Sequence, residues 1–244
     1  MASSFKRAAV RGLVAAIALL LILYATRSLA RSRSFQLAGE LVDRIETTDS
    51  VVALTFDDGP VPLVVDSLIH HLEAAGARAT FFVIGQELEQ NAEAGKRLVE
   101  AGHELGNHTY THARMVLRSE ESIHLEIERT DSLIRDAGQT DRIFFRPPFG
   151  YKLVGLPYYL EGTGRTTITW DIEPDSYPEV AETPEGIVRH VLARVRPGSI
   201  ILLHPWYPSR RTSLEAVPLL LDSLKRRGYT VTTVGELLRR ARDR

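Results

Sequence analysis

Five short polar clusters in this 244-residue chain each close an apolar run. They read Thr55-Phe56-Asp57-Asp58-Gly59-Pro60, His108-Thr109-Tyr110-Thr111-His112, Arg146-Pro147-Pro148-Phe149-Gly150, Trp170-Asp171-Ile172-Glu173-Pro174-Asp175 and Leu202-Leu203-His204. Asp57 and Asp58 end a strand, where successive side chains leave in opposite directions. One carboxylate can therefore ligate a metal while the other faces substrate as a base; a plain turn explains Asp-Gly-Pro as well. His108 and His112 are spaced so that two imidazoles converge. With one aspartate they make a three-ligand set that leaves a catalytic zinc open to water and substrate. A bare pair of loop histidines is usually solvated, but here a carboxylate pair ends an earlier strand.

Arg146, followed by two prolines, can hold a carboxylate charged and oriented, and the Phe149 amide can stabilise an oxyanion. His204 ends an intensely apolar run and is a candidate general acid near neutral pH, while Leu203 or Leu202 can line an apolar pocket. A core histidine and a surface arginine are the plain alternatives. Asp171, Glu173 and Asp175 fit a solvated loop, although one of them beside His204 would keep it protonated. The remaining histidines read as structural or solvated. Together the clusters carry the equipment of a metal-assisted hydrolase.

The elements that must position these groups alternate. Strand-like runs at 51–56, 79–84, 103–108, 143–146, 166–172, 199–204 and 230–233 are separated by helix-period segments at 63–75, 87–101, 119–137, 183–195 and 212–227, with 234–242 closing the chain. This pattern predicts an α/β protein with about seven parallel strands, either a barrel or an open sheet, and the clusters fall at strand C-termini, where both architectures bind ligands. Residues 149–166 lack a clear helical pattern, which predicts an irregular barrel. Residues 35–50 read as a linker, with a short amphipathic helix over 35–45, and the globular domain starts at 51.

Residues 1–35 hold six basic residues and no acid, leaving 24 basic against 31 acidic side chains, net −7, in the rest. An acidic globular part argues against nucleic-acid binding. The absence of cysteine excludes disulfides, thiolate ligands and a cysteine nucleophile. A basic start followed by an apolar run over 12–25 is a membrane-targeting pattern. Segment 1–34 is a signal peptide, with Ser28-Leu29-Ala30 as a cleavage site, or a membrane anchor that needs residues 8–10 to reach spanning length. The balance tips to a retained anchor with the domain outside the cytoplasm.

Thr-Phe-Asp-Asp-Gly-Pro together with His-Thr-x-x-His resembles the polysaccharide deacetylase family, the NodB-type carbohydrate esterases, over residues 51–242. The resemblance implies a distorted (β/α) barrel that hydrolyses acetyl groups on sugars. It implies Asp57 as general base, Asp58, His108 and His112 as ligands of a divalent metal, usually zinc, and Arg146 as the residue that orients the base. It further implies Phe149 as oxyanion amide, Leu203 as acetyl-pocket residue and His204 as general acid. The fourth cluster departs from the family pattern, which has tryptophan after its second acid. Asp175 is then the first choice as partner of His204, with Asp171 next, and Tyr177 as the aromatic wall. The expected substrate is an N-acetylhexosamine unit of a cell-envelope glycan such as peptidoglycan, ahead of chitin-type oligomers. An acetyl xylan, a small amide and a non-catalytic glycan-binding role are the alternatives, and the protein is expected to be a monomer.

Overall fold

The computed structural model describes residues 2–242, with side chains from residue 10 onward. β2 (Val51–Asp57) is the centre of the molecule. Every one of its residues is buried, as a strand of a parallel sheet covered on both faces requires. It pairs in parallel with β3 (Thr80–Val83), β6 (Ile200–Leu203) and, at its first residues, β7 (Thr230–Thr232). β4 (Glu104–Asn107) lies beyond β3. A second, two-stranded sheet joins β1 (Leu41–Val42) to β5 (Thr167–Ile168).

Single bridges close the ring: Phe145 pairs with both Asn107 and Thr167, and Ile172 pairs with Ile201. The run at 143–146 is thus reduced to one bridging residue, because Pro147 and Pro148 stop the ladder. The result is a distorted α/β barrel, irregular where bridges replace strands.

Helices cover the outside. α2 (Pro62–Ala75) starts on a proline at its first position and stops at Gly76 in the left-handed region. The helix expected over 87–101 is two, α3 (Gly85–Gln90) and α4 (Ala92–Glu100), broken at Asn91, whose amide side chain bonds the Glu87 carbonyl at 3.0 Å. α5 (Glu120–Asp136) is capped by Ser119, whose hydroxyl accepts from Ser122 N–H. α6 (Gly155–Gly162) fills the stretch where no helix was expected; it is short and has glycine at both ends. α7 (Pro184–Leu192), capped by Thr183, and α8 (Arg211–Arg226) pack together, and α9 (Val234–Arg242) closes the barrel.

No amphipathic helix forms over 35–45. That segment supplies β1, and Val42 and Ile45 are buried in the core with Ile168 and Leu202. Tertiary pairing with β5 overrides local periodicity here. At the N-terminus, α1 (Ala2–Ala30) is one continuous helix, exposed over residues 10–29, and its Val10–Ala30 stretch of 21 residues is long and apolar enough to cross a membrane.

Candidate active site

The clusters converge at the C-terminal ends of β2, β4 and β6 around a cleft of about 430 Å³. Among the described residues five non-glycine positions have left-handed backbones: Asp58, Thr109, His112, Leu117 and Phe149. Three of them are predicted site residues and Thr109 follows a fourth, so the strained backbone is concentrated where side chains must be aimed. Asp58 illustrates the effect. The alternation of a strand would send it away from Asp57, but at φ 73° its carboxylate turns back, and both aspartates approach His108 Nε2, Asp57 at 3.7 Å and Asp58 at 3.9 Å.

Asp58, His108 and His112 place one ligand atom each within 4.8 Å of one another. His112 Nε2 lies 3.4 Å from Asp58 Oδ1. His108 Nδ1 is 2.8 Å from the Arg146 carbonyl, which can only accept, so the proton sits on Nδ1 and the Nε2 lone pair faces the cluster. Burial, then the neighbouring His108, pushes His112 down to about 4, which keeps it neutral and able to ligate. This donor set, two imidazoles and a carboxylate with an oriented second shell, fits a divalent cation and suits zinc.

Asp57 is held from two sides. Arg146, fully buried, donates through Nη1 to Asp57 Oδ1 at 2.5 Å and to Thr55 Oγ1 at 2.9 Å. Its other nitrogens donate to the carbonyls of Ile168 and Thr169, and its guanidinium lies 3.9 Å from the Phe82 ring centroid. Behind the turn, Trp206 Nε1 donates to the Asp57 carbonyl at 2.5 Å. A Cβ on Gly59 would fall 2.5 Å from that indole, so glycine is required there for contact as well as for its φ of +67°.

Asp175 is the carboxylate that meets His204. It accepts from His204 N–H at 2.7 Å and from Ser213 Oγ at 2.8 Å, and lies 3.2 Å from His204 Nδ1. Asp171 is turned away, bonded to Ser199 Oγ and Ile200 N–H. Burial alone would lower His204, but the bond to Asp175 and the charges of Asp175, Asp57 and Asp58 outweigh it and raise the imidazole to about 9. His204 is therefore expected to be charged at neutral pH. A cation held by Asp58 offsets that residue's contribution, so the alkaline fall in activity is expected at or below about pH 9. Asp175→Asn should move it toward neutrality. A pH–rate profile of both proteins at saturating metal checks this. An alkaline limb that stays in place in Asp175→Asn would dissociate His204 from the profile.

Phe149 sits at φ 57° with its ring 4.6 Å from that of His112, and Tyr177 lines the cleft with its ring stacked on His190. Leu203 is not brought to the cleft. It is fully buried, in the core cluster with Phe56 and Trp206.

Three contributors were not anticipated. Trp206 is one, and its position two residues after His204 was the available signal. Glu126 of α5 is another: its carboxylate accepts from Tyr110 N–H, Thr111 N–H and Thr111 Oγ1, fixing the loop between the two histidines. The third is Arg33, which pairs with Glu173 and lies 4.8 Å over the Trp170 ring.

Residues 44–177 match the family described as polysaccharide deacetylase. The chain is 31% identical over 201 residues to a peptidoglycan-N-acetylglucosamine deacetylase of Bacillus cereus, covering 82% of this chain and 94% of that one. It is 32% identical over 198 residues to a chitooligosaccharide deacetylase of Bradyrhizobium, covering 76% and 90%. Among solved structures, a peptidoglycan N-acetylglucosamine deacetylase superposes with a TM-score of 0.75 at 26% identity, covering 80% of this chain and 91% of that one. A CE4 pseudoenzyme from Bacillus anthracis superposes at 0.72 with the same identity, covering 81% and 68%. The barrel alone therefore does not distinguish a working site from an idle one; the side chains do. By sequence, fold and the groups gathered in its cleft, the chain belongs to the polysaccharide deacetylase family and is a hydrolase of that family.

Proposed function

We propose that the protein is a metal-dependent N-deacetylase acting on N-acetylhexosamine units of a cell-envelope glycan, peptidoglycan before chitin-type oligomers, and that α1 holds it outside the cytoplasm. The observation that carries the reading is the opposition of two built pairs across one cleft. Arg146–Asp57 stands beside the Asp58–His108–His112 donor set, and Asp175–His204 stands within electrostatic reach of both aspartates.

A divalent cation held by Asp58, His108 and His112 supplies Lewis acidity toward the acetyl carbonyl and lowers the pKa of water. Asp57, paired with and oriented by Arg146, accepts the proton of the attacking water as its oxygen bonds the acetyl carbon. The Phe149 amide takes the role of stabilising the developing oxyanion. His204 gives its proton to the nitrogen as the C–N bond breaks, leaving acetate and an amine. A histidine raised to about 9 suits a basic amine leaving group, which favours N-acetyl over O-acetyl substrates.

The test is acetate release by the full chain from peptidoglycan and from chitin oligomers, with chelator and then with zinc added back. The expected result is chelator-sensitive, zinc-restored release at one bound metal per chain. Asp58→Ala and His112→Ala should lose metal and activity together, measured by elemental analysis of the purified proteins. Bound metal with no acetate from either glycan would overturn the reading.

A further inference from the structure

The segment joining α1 to the barrel is part of the catalytic cleft. Residues 30–33 are clamped onto the domain from three sides. Lys152, 1% exposed, donates its backbone N–H to the Ala30 carbonyl at 2.8 Å and its ammonium to the Ser32 carbonyl. Thr169 Oγ1 donates to the Arg33 carbonyl at 2.5 Å, and the Arg33 guanidinium pairs with Glu173. Arg31 and Arg33 both line the cleft that holds Asp57 and His204.

Arg31 faces two ways. It also lines a mostly apolar groove of about 1050 Å³ along the last turns of α1, with Tyr24, Leu29 and Phe35. On the cleft side its guanidinium lies 5.4 Å from the Tyr151 ring centroid, and that of Arg114 lies 5.3 Å from the same ring and 5.3 Å from the Phe149 ring. Among the described residues neither arginine has a carboxylate partner within 4.0 Å. Two guanidinium groups thus stand against one ring, next to the Phe149 that lines the cleft, and an anion entering there would meet both positive charges. Tyr24 and Leu29 belong to the stretch long enough to span a bilayer, so with α1 inserted as proposed above this side of the cleft would open where the helix leaves the membrane.

We propose that Arg31 and Arg114 form an anion subsite for a phosphate attached to the acetylated sugar, and that the substrate is a lipid-linked N-acetylhexosamine. Its acyl or prenyl chain lies along the α1 groove, its phosphate at the arginine pair and its acetamide at Asp57 and His204. This rests on the deacetylase reading above and on α1 remaining attached. A phosphate can also come from a soluble sugar phosphate, and the experiment separates the two sources.

The full chain in phosphatidylcholine vesicles is assayed for acetate release from three probes: N-acetylglucosamine linked through diphosphate to a short polyprenol, N-acetylglucosamine 1-phosphate, and neutral chitotetraose. The lipid-linked probe is expected to have the highest kcat/KM. Arg31→Ala and Arg114→Ala should each lower its kcat/KM relative to chitotetraose about tenfold, the size of one charge-assisted hydrogen bond, chiefly through KM. Arg31→Lys should recover most of the loss. An unchanged ratio in both alanine variants overturns the subsite. A soluble phosphate as good as the lipid-linked probe overturns the lipid groove.

Failure of the deacetylase reading looks different: the zinc-loaded parent releases acetate from none of the three. The subsite is then read without turnover, as retention of the lipid-linked probe by Asp57→Asn with and without Arg31→Ala. Equal retention by the two proteins overturns it there.

Discussion

Asp57→Asn is expected to lower kcat by about a hundredfold to ten-thousandfold, the range typical for removal of a general base, with KM and bound metal unchanged. The substitution keeps the shape of the side chain and a contact to Arg146 while removing the proton acceptor. Asp58, His108 and His112 stay as they are, because none depends on the Asp57 side chain for its place: His108 is oriented by the Arg146 carbonyl, and the loop carrying His112 by Glu126. Steady-state kinetics with metal analysis of the same preparation checks both halves. Full activity would remove Asp57 as the base, and loss of metal would make it a ligand.

Arg146→Met should be costly in two currencies. It leaves the Asp57 carboxylate buried without its hydrogen-bonded counter-charge, and breaking one side of a buried pair typically destabilises by about 3–5 kcal/mol. Thr55 and the carbonyls of Ile168 and Thr169 lose their donor as well. Activity should fall at least as far as in Asp57→Asn, because the base loses the group that orients it. Urea unfolding at pH 7 measures the first effect. The double variant with Asp57→Asn separates the two roles, since removing the stranded charge should return part of the stability without returning activity. Additive losses in the double variant would mean that the two side chains do not act as a pair.

The chemistry was legible in the chain wherever it was carried by short segments. Asp57-Asp58, His108 with His112, Arg146 and His204 each end an apolar run, and a parallel barrel gathers such ends at one rim. Asp175 was separable from Asp171 only as a choice, because neighbouring acids on one loop look alike until the loop is bent; in the fold one meets His204 and the other Ser199. The family resemblance implied Leu203 as the acetyl-pocket residue, but strand alternation turns it into the core. The positive φ of Asp58 was not legible, since aspartate enters the left-handed region more readily than most residues but nothing in the local sequence requires it to. The same holds for residues 30–46. Arg33 meets Glu173 across 140 residues and β1 meets β5 across 126, and no local periodicity records such partners. Residues up to 34 therefore read as a targeting segment and 35–50 as a linker, while together they supply a strand and part of the cleft wall.

The chain has two tryptophans, and both lie against the site. Trp206 donates to the Asp57 carbonyl, and Trp170 donates to Glu173 at 2.8 Å with the Arg146 and Arg33 guanidinium groups over its ring. The tryptophan emission of this protein, excited selectively over its eight tyrosines, is thus an optical signal from the cleft, with no background from distant indoles. Occupation of the histidine–aspartate cluster perturbs one fluorophore through the turn it supports, and a guest displacing Arg33 perturbs the other through its stacked cation. Replacing either indole by phenylalanine leaves a single-site spectrometer for one wall of the cleft.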